Sequence, residues 1–75
     1  MSKTITIKTF KQLKELVLND PSWKGNYSLV IRNLRCEYKL FGEAVCTKMF
    51  LVDGEYADCK LDAEFEKELK KFLGV

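Results

Sequence analysis

Polar and apolar residues alternate at the start of the chain, with Ile5 and Ile7 on one side and Thr4, Thr6 and Lys8 on the other. This period of two, carried by β-branched residues, predicts a strand over Lys3–Lys8. The period then changes. Phe10, Leu13, Leu16 and Val17 recur at helical spacing, and Lys11, Lys14 and Glu15 fall off that stripe. Thr9 is the expected N-cap, and Gln12 stands at the capping-box position three residues later. The helix is expected to end near Asn19, because Asp20 precedes Pro21 and a residue before proline is pushed out of the α region. The following loop carries Trp23, whose large apolar area is expected to fold back over the core edge.

The stretch Tyr27–Lys60 reads as an antiparallel meander of three strands, Tyr27–Tyr38, Glu43–Val52 and Glu55–Cys59. A turn with Gly42 in the left-handed conformation would join the first two. That register sets Lys39 opposite Glu43, Cys36 opposite Cys46, Leu34 opposite Lys48, Arg32 opposite Phe50 and Ile31 opposite Leu51. Asp53-Gly54 is a strong hairpin signal and places Leu51 opposite Tyr56 and Phe50 opposite Ala57. One face of the meander then holds Val30, Leu34, Cys36, Tyr38, Ala44, Cys46, Phe50, Val52, Ala57 and Cys59, interrupted by Arg32 and Lys48, and is the better core. The other holds Leu29, Ile31, Val45, Met49, Leu51 and Tyr56 among polar residues, more apolar than a wet face needs to be.

A last helix is expected from about Ala63 to Leu73. Asp62 would cap it, glutamates fill its first turns, Lys70 and Lys71 its last, and Gly74 would stop it. The predicted fold class is α+β in the order β-α-β-β-β-α, a four-stranded, mainly antiparallel sheet with two helices packed on one face. Residues 1–75 are expected to make a single domain.

Composition narrows the function more than it identifies it. The chain has no histidine, which removes the commonest general base and the usual zinc ligand. Cys36, Cys46 and Cys59 are an odd, scattered set without a CxxC pair, so they read as free thiols rather than a disulfide framework or metal site. Cys59, beside Lys60 and just before the last helix, is the best-placed candidate for a reactive thiol. The glycines are isolated and make no phosphate-binding loop. No cofactor is expected, and no enzyme activity.

Charge is unevenly placed: eight Lys/Arg against three acids in residues 1–40, and five against eight in 41–75. The pI of about 8.4 is below the range that marks a nucleic-acid binder by charge alone. The alternating N-terminal residues lack the apolar run of a signal peptide, and no stretch approaches the ~20 apolar residues of a membrane span. A cytoplasmic location and no membrane partner are therefore expected.

These observations predict a small non-catalytic protein-binding module that acts through an open sheet face formed by Leu29, Ile31, Arg35, Met49, Leu51 and Tyr56. Its partner would be a foreign protein or a second copy in a homodimer. A phage- or mobile-element-encoded inhibitor of a host or defence protein suits this size and this lack of catalytic equipment. The alternative is a nucleic-acid-binding domain using Arg/Lys and Tyr on the sheet.

Overall fold

The computed structural model describes residues 3–75. The order of elements is β1 (Lys3–Ile7), α1 (Phe10–Asn19), a single 3-10 turn (Pro21–Trp23), α2 (Tyr27–Phe41), β2 (Met49–Val52), β3 (Glu55–Leu61) and α3 (Ala63–Leu73). The sheet has three strands in the order β1-β3-β2, with β1 parallel and β2 antiparallel to the central β3. The expected four-stranded, mainly antiparallel sheet with two helices is therefore replaced by a three-stranded mixed sheet with three α-helices.

The difference lies in two segments: the expected strand Glu43–Val52 is reduced to Met49–Val52, with 43–48 a loop, and the strand expected before it is a helix. Tyr27–Phe41, expected as a strand over Tyr27–Tyr38 and then a turn, is a helix of 15 residues. Tyr27, Val30, Ile31, Leu34 and Tyr38 fall at i, i+3, i+4, i+7 and i+11, one stripe of an α-helix. Val30, Leu34 and Tyr38 are buried along it. Only Val30 and Ile31 are β-branched, and neither glycine nor proline interrupts the run. The Asn26 side chain accepts a hydrogen bond from the Leu29 N–H at 3.0 Å, a regular N-cap. Gly42 is left-handed as expected, at φ +74°, but it stops this helix: its N–H donates to the Tyr38 carbonyl at 3.0 Å. The proposed pairings of 31–39 with 43–51 disappear with the strand. Glu43 instead pairs with Lys48 at 2.7 Å.

Elsewhere local signals and structure agree. Thr9 Oγ1 accepts the Gln12 N–H at 3.1 Å, Asp62 caps α3, and Gly74 ends it at φ +77°. Trp23 packs against the core. Asp53 and Gly54 both have positive φ, which a two-residue hairpin turn of the primed type requires, and Phe50 faces Ala57 and Leu51 faces Tyr56.

Alternation along the strands now fixes two faces. Ile5, Ile7, Phe50, Val52, Ala57, Cys59 and Leu61 point to one side, where Leu13, Leu16 and Val17 of α1, Val30, Leu34 and Tyr38 of α2, and Phe65, Leu69 and Leu73 of α3 complete the core. Thr4, Thr6, Met49, Leu51, Tyr56, Asp58 and Lys60 point to the other side, which no helix covers.

Candidate functional site

The open face of the sheet is the candidate site. Its apolar part comes from the β2–β3 hairpin. Met49 is 51% exposed and Tyr56 59% exposed, with Leu51 half-buried directly opposite Tyr56. Thr4 and Thr6 of β1 and Asp58 and Lys60 of β3 continue the surface as a polar flank. Next to that flank, the loop after α2 and the far end of β3 enclose an open depression of about 740 Å³, lined among others by Thr4, Asp58, Lys60, Glu43 and Lys48. Acids and lysines alternate there, and among the described residues no group of three His, Cys, Asp or Glu is arranged to hold a metal ion.

Of the six residues expected to form the site, the structure brings together Met49, Leu51 and Tyr56. Leu29, Ile31 and Arg35 lie on α2, on the helical side of the molecule, and do not join them. Ile31 is half-buried against the core. The Arg35 Nε donates to the Leu73 carbonyl at 3.1 Å, so this side chain caps the C-terminus of α3. A second apolar surface was missed: Leu40 and Phe41, at the end of α2, are 76% and 65% exposed. The helical period would have found Leu40, because it stands off the stripe that ends at Tyr38.

Both free edges of the sheet carry specific side-chain cover. On β2, the outward Leu51 N–H donates to Asp20 Oδ2 at 3.0 Å, while Asp20 Oδ1 accepts the Ser22 N–H at 2.9 Å. Asp20 is 2% exposed and holds the 3-10 turn against this edge. On β1, the Gln12 amide plays the same part: its Nε2 donates to the Thr6 carbonyl at 3.0 Å and its Oε1 accepts the Lys8 N–H at 2.9 Å. In a capping box the Gln12 side chain would reach back to Thr9. Here it extends further and stands in for a neighbouring strand.

Neither the Cys59 nor the Cys46 thiol is activated. Cys59 is buried, and burial pushes its thiol above the ordinary value, opposite to what a nucleophile needs. Cys46 is pushed up to about 12, by burial first and then by the Glu37 carboxylate. That same carboxylate accepts the N–H groups of Val45 and Cys46 at 2.8 and 3.0 Å, pinning the loop to α2. Cys36 is an exposed residue of α2, and all three cysteines are free. Raised thiols hold less thiolate at a given pH, so an alkylating reagent at mildly alkaline pH is expected to label Cys36 first. Cys46 and Cys59 should follow only as denaturant unfolds the chain, as read by mass spectrometry of the labelled peptides. Fast labelling of Cys59 in the native protein would contradict this placement.

Comparison with protein-family models, curated proteins and solved structures gives no match. The class defined by the fold and the site is a small α+β domain with one helix-covered and one uncovered sheet face. Among the described residues no helix is long and apolar enough to cross a membrane.

Proposed function

We propose that this protein is a non-catalytic binding module that docks a protein partner on its uncovered sheet face, with Met49, Leu51 and Tyr56 as the apolar centre. The observation that carries this reading is that all three helices pack on the other side of the sheet, which leaves this hairpin cluster in water. A Met and a Tyr around a Leu, rimmed by threonines and a balanced Asp58/Lys60 pair, match the apolar-centre, polar-rim pattern of interfaces. Cover on the β2 edge by Asp20 directs docking to the face on that side of the sheet. The reading places the protein in the cytoplasm, where three free thiols are stable. An inhibitor or adaptor is the role its size suits, and an antagonist of a host or defence protein carried by a phage or mobile element is the form we favour.

The alternative, nucleic acid on the sheet, has Lys60 on the same face as Tyr56 to support it. Arg32, Arg35 and Lys39 lie on α2 and so stand apart from that tyrosine. Capture from a host lysate at low and high salt separates the two readings. A protein retained by the wild type at high salt, and lost from a Met49→Lys/Tyr56→Lys variant of unchanged melting temperature, is the expected result. Both residues are exposed, so the substitutions should cost within about 0.5 kcal/mol of fold stability each. Undiminished capture by the variant would remove the face as the docking site, and capture of nucleic acid that fails steeply with salt would favour the alternative.

A further inference from the structure

We propose that two copies of this chain pair edge to edge through β1, antiparallel about a two-fold axis at Ile5. The register fixes which backbone groups are available. The Cys59 N–H points to the β2 side, where it donates to the Lys48 carbonyl at 2.8 Å, so the groups of Asp58 and Lys60 point to β1. With Thr4 aligned to Asp58 and Thr6 to Lys60, the parallel ladder uses the backbone groups of Lys3, Ile5 and Ile7. The Ile7 carbonyl accordingly accepts the Asp62 N–H at 3.0 Å. Thr4, Thr6 and Lys8 therefore present their N–H and C=O groups outward. Gln12 takes the Thr6 carbonyl and the Lys8 N–H. Among the described residues the N–H and C=O of Thr4 and the N–H of Thr6 have no hydrogen-bond partner.

Unpaired groups at this spacing are a template for another extended strand. The occupant is a second copy because the edge complements itself. With Ile5 facing Ile5, Thr4 of each copy faces Thr6 of the other. Both threonines point outward, so each such pair is of the hydrogen-bonded type. The Thr4 N–H donates to the second copy's Thr6 carbonyl, and the Thr4 carbonyl accepts the second copy's Thr6 N–H. The two-fold axis repeats this pair, so every open group finds a partner. The Gln12 amide lies where Lys3 of the second copy runs past Ile7, so pairing displaces it, and the Thr6 carbonyl exchanges the Gln12 bond for one from the second copy's Thr4 N–H. Threonine pairs across strands are favourable on the open face. Ile5, half-buried on the core side, meets its copy at a non-hydrogen-bonded position, where side chains approach closest. Lys3 comes opposite Ile7, so no like charges face each other along the paired segment. The product is one continuous sheet, β2-β3-β1-β1-β3-β2, with the helices of both copies on one side and the two open faces joined on the other.

The test is sedimentation equilibrium of the purified chain from micromolar to millimolar concentration, with amide hydrogen exchange in parallel. The expected result is a weak dimer whose Thr4 and Thr6 amides gain protection with concentration while that of Leu51 does not. Thr4→Pro removes an outward N–H and leaves the ladder to β3 intact, a position where an edge strand tolerates proline. It should weaken dimerisation at least about tenfold, because two symmetric bonds are lost. Gln12→Ala removes the side chain that competes for this edge and should tighten the dimer. Met49→Lys, on the open face, should leave it unchanged. Concentration-independent exchange at Thr4 and Thr6 in the wild type overturns the proposal, whatever the proline variant does. So does a monomer throughout the range, a dimer unaffected by Thr4→Pro, or a dimer abolished by Met49→Lys, which would mean face-to-face stacking. The first three of these outcomes leave capture of a foreign protein by the open face untouched; the last would make a second copy the occupant of that face.

Discussion

Phe50→Ala is expected to remove about 3–5 kcal/mol, a large share of the stability of the domain. Phe50 is fully buried at the centre of the core face, on the short β2 strand and opposite the small Ala57. Truncating a buried phenylalanine costs about 3–5 kcal/mol, through lost transfer energy and the cavity left behind. A chain of 75 residues has about 4–11 kcal/mol in all. Alanine at position 50 therefore removes a large share of that stability, and chemical denaturation followed by far-UV circular dichroism will read it. Phe72→Ala is the control. Phe72 is 61% exposed and touches Phe10 only as a tilted pair, with ring centroids 5.3 Å apart. Its loss should cost about 1 kcal/mol. Equal costs at the two positions would mean that β2 is not where the core closes.

Asp20→Ala should cost about 2–6 kcal/mol, a large effect for a residue that contributes no apolar surface to the core. Its carboxylate accepts from two backbone N–H groups, those of Ser22 and Leu51, and it is almost wholly buried. Alanine leaves both donors without a partner, each at about 1–3 kcal/mol. Asp20→Asn should recover part of the loss, since an amide offers one acceptor oxygen where the carboxylate offers two. The distinguishing readout is local: hydrogen exchange at the Leu51 amide should accelerate well beyond the change in global stability, because the β2 edge is opened. Unchanged exchange at Leu51 would show that the edge does not depend on this carboxylate.

Asp20 also illustrates what a sequence conceals. Its place before Pro21 marks the end of α1, which is as far as local chemistry goes. Its bond to Leu51 joins residues far apart in the chain, and no local pattern announces it. Gln12 is similar: its capping-box spacing is visible, while its reach across to Thr6 and Lys8 depends on how α1 leaves β1. For the site, Met49, Leu51 and Tyr56 were legible because Asp53-Gly54 fixes the hairpin register, and register fixes faces. Leu29, Ile31 and Arg35 were attached to them only through a strand that the chain does not form.

The sequence by itself determined the elements whose signals are local and agree with one another: the caps Thr9 and Asp62, the stop at Gly74, the hairpin turn, and the apolar stripes of α1 and α3. It also contained the helical stripe of α2, set against the strand read over Tyr27–Tyr38. Tertiary structure decided between them, because a helix at Tyr27–Phe41 buries Val30, Leu34 and Tyr38 together against α1, α3 and the sheet. It alone decided that β1 lies parallel beside β3, that the sheet has three strands, and which face stays open. Those outcomes depend on which apolar surfaces meet across long stretches of chain, and burial energy is gained only when they meet.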